Sequence, residues 1–153
     1  MFRTRITRLS VLAAAGALTL GACAPAMTAH EYAPSDGSRV TVTSELRGVN
    51  LLVVAAQEGG EGAVQGALVN HTDQAETFTL AVDGAAPVRV TVEAAQTVYL
   101  GTADGEQVTL DAVAKAPGSF LPATLEVGGQ SQEFQLPVMD AAAPEYADVA
   151  PES

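Results

Sequence analysis

Between residues 38 and 139 no stretch of this chain holds apolar residues at i, i+3, i+4 and i+7 without interruption, whereas short alternating runs recur roughly every ten residues. A period of two puts successive side chains on opposite faces of an extended backbone, so the pattern specifies strands. It predicts strands over Arg39–Thr43, Arg47–Ala55, Gly62–Asn70, Glu76–Val82, Val88–Val92, Thr97–Leu100, Gln107–Leu110, Ala123–Val127 and Gln132–Val138. The breaks carry turn chemistry: Asn70 through Asp73, Asp83-Gly84, Asp104-Gly105, Pro117-Gly118 and Gly128-Gly129. Alternation aligns Phe78, Leu80 and Val82 on one face and Phe134, Leu136 and Val138 on another, so Phe78, Leu80, Phe134 and Leu136 are expected in the core. Eight or nine such strands in about 100 residues predict an all-β fold, an antiparallel two-sheet sandwich of immunoglobulin-like or cupredoxin-like outline. Pro137 has no N–H to give to a ladder and points outward in this alternation, which places the last strand at a sheet edge.

Ahead of this span, Arg3, Arg5 and Arg8 form a cationic opening and are followed by the twelve mostly apolar residues 9–20. That is the form of an export signal, and it is too short to cross a bilayer, which takes about 20 apolar residues. The next residues, Leu20-Gly21-Ala22-Cys23, resemble the bacterial lipobox of an aliphatic residue, two small residues and a cysteine. Small side chains let the backbone enter a protease cleft, and a cysteine thiol is nucleophilic enough to take a diacylglyceryl thioether. A plain secretory signal cleaved around Ala22-Cys23-Ala24 is the competing reading; the only cysteine of the chain falling at this place favours lipidation. Residues 1–22 are thus read as a lipoprotein signal peptide and Cys23 as the lipid attachment site. Two or more acyl chains, at about 0.8 kcal/mol per buried CH₂, anchor a protein to a membrane without help from charge. Residues 23–37 read as a flexible tether with an r.m.s. reach of about 20 Å, residues 38–139 as the β-domain, and residues 140–153 as an acidic, Ala- and Pro-rich tail expected to fray.

Charge and composition remove most activities. Of seven cationic residues, Arg3, Arg5 and Arg8 precede residue 22, which leaves four against 18 acids in the remaining 131 residues, a formal −14. Such a surface repels phosphate backbones, so no nucleic-acid partner is expected. One cysteine and two histidines build neither a Cys₂His₂ zinc site, nor a CxxC redox pair, nor an internal disulfide. There is no Gly-x-Ser-x-Gly elbow, and Ser119 sits in a Pro-Gly turn. The carboxylates of Glu58, Glu61, Asp73, Asp83, Asp104 and Glu106 fall in turns or at strand ends, where solvated charges belong. Asn70-His71-Thr72 matches a glycosylation sequon, but it is read as a turn in which Asn tolerates the left-handed conformation. No enzyme is expected.

Several segments together resemble the actinobacterial LpqE-type lipoproteins. They are Leu46 to Val49; Gly66 to Asn70 running through a polar turn into Glu76 to Leu80; Thr97 to Thr102; and Pro117 to Pro122 leading to Glu133 to Val138. The 29 alanines, six arginines and single lysine suit a GC-rich genome of that kind. The resemblance covers most of the chain after residue 23 and implies an anchored β-sandwich, distantly similar to the PCu(A)C-type periplasmic copper chaperones. Those carriers hold Cu(I) with two methionines and two histidines, soft thioethers selecting the ion. Here Met27, His30, His71 and Met139 match that tally but not its spacing: no His-x-Met exists, and Met27 and His30 lie in the tether.

The expectation is therefore a lipid-anchored protein at the extracytoplasmic face of the cell membrane. Its non-catalytic domain would bind an envelope protein or envelope component, with no cofactor and no metal. A copper-handling, chaperone-like lipoprotein with an atypical metal site is the alternative.

Overall fold

The computed structural model describes residues 35–149. The signal segment 1–22, Cys23, Met27, His30 and most of the tether lie outside the described residues, as do residues 150–153. Nine strands follow one another: β1 (Ser38–Thr41), β2 (Leu46–Ala55), β3 (Gly62–Asn70), β4 (Glu76–Val82), β5 (Val88–Val92), β6 (Thr97–Leu100), β7 (Val108–Leu110), β8 (Phe120–Val127) and β9 (Gln130–Asp140). No helix occurs among the described residues. The fold is all-β, as the alternation requires, and β3 to β6 have the bounds read from the sequence.

The strands form one mixed sheet in the order β5-β4-β8-β9-β2-β3-β6, with β1 also on β2 and β7 also on β3. Every pairing is antiparallel except β2 with β9, which run parallel over Val53↔Val138 to Ala55↔Asp140. This departs from the expected purely antiparallel arrangement. A two-residue period is the same in both senses, so alternation alone cannot separate them. β9 has eleven residues and uses them on two partners: Gln130–Pro137 pair with β8, and the last three with β2. It joins the β4, β5 and β8 half to the β2, β3 and β6 half.

Pro137 is buried, and β9 is an interior strand between β8 and β2. Both facts correct the edge assignment, and the ladder explains how a proline is accommodated. The Val138 N–H donates to the Ser119 carbonyl on the β8 side at 2.9 Å. Backbone groups alternate sides along a strand, so the Pro137 nitrogen faces β2, at the point where that ladder has only begun. No bond is lost.

Residues from both halves pack into one core that includes Leu51, Val53, Phe78, Val90, Leu125 and Leu136. Phe78, Leu80 and Leu136 are buried as expected; Phe134 is buried only in part and packs against the edge of the cluster. Phe134 lies opposite Ala123, at a level where β9 has not yet met β2, so cover over its ring is incomplete.

The run Leu51–Ala55 is buried throughout. Leu51, Val53 and Ala55 join the core, while Leu52 and Val54 face the other way and are still only 2% and 0% exposed. A strand buried on both faces reads as a continuous apolar run. Part of that second cover comes from residues 141–149. These residues, expected to fray, form successive turns: the Ala141 N–H donates to the Ala55 carbonyl at 3.1 Å, and Tyr146 and Val149 share a groove with Leu52 and Ala67. The acidic composition hid two apolar side chains with a surface to cover.

Candidate functional site: a groove over the bulge in β2

The centre of the core leaves little room for a ligand. Between Leu51, Phe78 and Leu125 there is a void of only about 10 Å³, no more than one water requires. Two surface depressions formed by described residues are candidate sites. The larger, about 650 Å³, is an open trough over β4, β8 and β9 edged by Asp83, Pro122 and Glu133. The smaller, about 390 Å³, lies on the outer face of β2, β3 and β6 beneath residues 145–149. Only the smaller combines strained backbone with an unpartnered buried amide.

Its floor is shaped by a β-bulge. Val49 pairs with Ala67 and Leu52 with Gln65, so Asn50 and Leu51 together face the single residue Gly66. The extra residue resets the alternation: Leu46 and Gly48 point inward before it, and Leu51, Val53 and Ala55 after it. Asn50 takes φ = 53°, a conformation that asparagine accepts more readily than most residues. Its Oδ1 accepts the Gly37 N–H at 2.8 Å, holding the start of the domain against the bulge. Gly66 has φ = 132°, and a Cβ there would stand 2.7 Å from the Asn50 carbonyl oxygen and 2.8 Å from that of Val49. Only glycine fits.

Gln65 and Tyr99 furnish the chemistry. The Gln65 side chain lies across the Cα of Gly101, where a Cβ would overlap its amide. Gly101 sits at φ = 71°, in a turn closed by its own N–H on the Glu106 carbonyl and by the Glu106 N–H on the Tyr99 carbonyl. Gln65 Nε2 is buried and has no hydrogen-bond partner among the described residues. A buried donor left unpaired costs on the order of 1–3 kcal/mol. Tyr99 pairs with Ala67 on the same face and is 60% exposed, one of two large apolar side chains left in solvent among the described residues.

The far wall is latched by one hydrogen bond. The Tyr146 hydroxyl donates to Asp36 Oδ2 at 2.7 Å, tying the tail to the segment that enters β1. Burial pushes the Tyr146 phenol up from 10 to about 12, with the Asp36 hydrogen bond, the Asp36 charge and the Glu145 charge adding to it. A raised folded-state value means the contact is intact below pH 10, where free tyrosine is still protonated, and is lost as the pH rises through about 12. An alkaline absorbance titration of the chain against Tyr146→Phe should isolate one phenol ionising near pH 12. A difference spectrum centred on the ordinary tyrosine value would contradict the latch.

The residues singled out from the sequence are distributed elsewhere. His71 follows Asn70, which pairs with Leu46 at one end of β2, while Met139 pairs with Val54 near the other end. Eight strand positions at about 3.3 Å each put them roughly 25 Å apart, too far to share an ion. Met27 and His30 lie outside the described residues, as does Cys23. Glu58, Glu61, Asp73, Asp83, Asp104 and Glu106 are all exposed. Asn70 differs from its reading. It is 0% exposed, ends β3 with an ordinary φ, and spends its side chain on the neighbouring loops, so it is no acceptor for a glycan in the folded chain.

Asn50, Gln65, Tyr99 and Tyr146 were not anticipated as a group. A signal for the first was present, since the inward set shifts from even to odd positions at Asn50 and an interior glycine follows on the facing strand. The tyrosines and the glutamine carry no motif. No protein-family model matches the chain, and no curated protein matches it either.

Proposed function

We propose that the chain is a lipoprotein of the LpqE type, exported and anchored through Cys23 to the extracytoplasmic face of the cell membrane. Its β-domain is non-catalytic and binds an envelope protein or envelope component. The two halves of the sheet are read as the leaves of a sandwich of immunoglobulin-like or cupredoxin-like outline, with β9 crossing between them. The observation that carries the proposal is the order along the chain: cationic start, short apolar run, Leu20-Gly21-Ala22-Cys23, and then a domain whose first strand begins at Ser38. Fifteen positions separate the lipid-bearing residue from that strand, enough to hold the domain close to the bilayer and clear of its headgroups.

A binding role agrees with the surface. Every described carboxylate except Glu76 is exposed, which makes this an acidic, solvated surface. The copper-handling alternative gains nothing from the separation of His71 and Met139. Replacing Cys23 by alanine should move the protein from the membrane pellet to the soluble fraction of a cell lysate. Unchanged sedimentation with membranes would contradict lipid anchoring.

A further inference from the structure

We propose that the groove over the β2 bulge is a binding site for a neutral glycan, with Tyr99 as its stacking surface and Gln65 as its buried hydrogen-bond donor. The inference rests on the envelope-binding reading and names the component. Gln65 Nε2 is a buried donor without a partner among the described residues, so a fitting ligand presents an acceptor there. The carboxylates of Asp36 and Glu145 line the same groove and only accept, so the ligand must also donate. Hydroxyl groups do both. Gln65 and Ala67 sit two positions apart on one face, about 7 Å, and Tyr99 lies directly across from Ala67. Gln65 and Tyr99 are therefore near neighbours on one face and line the same groove. Tyrosine offers a flat apolar face with a polar tip, suited to the C–H face of a pyranose.

Charge sets the class of sugar. The described residues carry four cationic side chains against 16 acids, the 18 of the chain less Glu31 and Glu152. None of the cationic residues lines the groove. Phosphorylated or uronic-acid glycans would meet repulsion without a counter-charge, whereas a neutral one meets none. At about 390 Å³ the groove falls near the lower end of small-ligand sites, which run from about 300 to 1,000 Å³, and suits a short stretch of a longer chain.

The test is isothermal titration calorimetry on the full lipidated protein in a polyoxyethylene detergent, with the neutral tetrasaccharides of glucose, mannose and galactose as probes. Saturable heat is expected with at least one. Tyr99→Ala and Gln65→Ala should each weaken that binding by about tenfold or more, and Tyr99→Phe should hold it within about threefold. Tyr99 is exposed, so its variants keep the fold, which circular dichroism verifies. No saturation with any probe up to about 10 mM, or saturation that both alanine variants leave unchanged, would overturn the proposal. So would displacement of the sugar by tetramethylammonium, the behaviour of an acidic, aromatic cation site. Membrane sedimentation of the Tyr99→Ala variant keeps the two readings apart: loss of sugar binding by a protein that still pellets removes the glycan and leaves the anchor.

Discussion

Replacing Asn70 by alanine should cost about 3–4 kcal/mol, a large part of the stability of a domain this size. The side chain is 0% exposed and acts as a hub. The two N–H groups of its Nδ2 are shared among the carbonyls of Gln74 at 2.8 Å, Val92 at 3.0 Å and Glu93 at 3.2 Å. Its Oδ1 accepts the Thr72 N–H at 2.9 Å and the Thr72 hydroxyl at 2.7 Å. These bonds tie the β3–β4 loop to the end of β5. Alanine removes the donor to the buried Val92 carbonyl, at about 1–3 kcal/mol, and forfeits about 1–2 kcal/mol in all at the better-solvated bonds to Gln74, Glu93 and Thr72. Aspartate is the sharper variant. It keeps the two bonds from Thr72 but sets a carboxylate against three carbonyl oxygens in a dry site, so it should destabilise at least as much as alanine. Urea denaturation of both variants decides it: a loss under about 1 kcal/mol for either one would mean the hub is not needed.

The second large effect separates two phenylalanines that the alternation treats alike. Phe78 is 1% exposed at the centre of the core, and Phe78→Ala should cost about 3–5 kcal/mol in lost transfer energy and unfilled volume. Phe134 packs against the rim of the same core with part of its ring in solvent. Phe134→Ala should cost about 1–2 kcal/mol, scaled down with its burial. Equal losses at the two sites would mean that β9 closes over Phe134 in solution more tightly than its register with β2 allows.

The difference between these rings shows where the sequence is informative and where it stops. Phe78, Leu80 and Val82 alternate with threonine and alanine in a strand whose neighbours are both antiparallel, and there the pattern yields both bounds and facing. β8 extends back to Phe120, beyond the expected start at Ala123, because Pro122 lies just past the last pair with β4, Val82↔Ala123, where that ladder has ended. Pro137 is the same lesson inside a sheet. A missing N–H matters only if a partner waits for it, and which side of β9 has a partner is a property of the topology. Parallel pairing to β2 leaves no mark on a two-residue period.

The groove was less legible than the strands, for a different reason. Its members come from β2, β3, β6, the turn after β6 and the tail, positions as far apart as Asp36 and Tyr146. None belongs to a motif, because an amide donor and an aromatic face need only proximity, not a fixed spacing along the chain. The acids and prolines of the tail describe a solvated segment, while its Tyr146 and Val149 line the groove on the outer face of β2. That face announces itself only in the unbroken apolar run Leu51–Ala55, which one buried side of a sheet does not require.

We propose that the signal is cleaved between Ala22 and Cys23 and that Cys23, then the first residue, carries lipid. Intact-mass spectrometry of the protein extracted from membranes with detergent tests it most directly. A chain of residues 23–153 bearing a diacylglyceryl thioether is the predicted result; an unmodified chain with a free Cys23 thiol, or a mature start at any other residue, would contradict it.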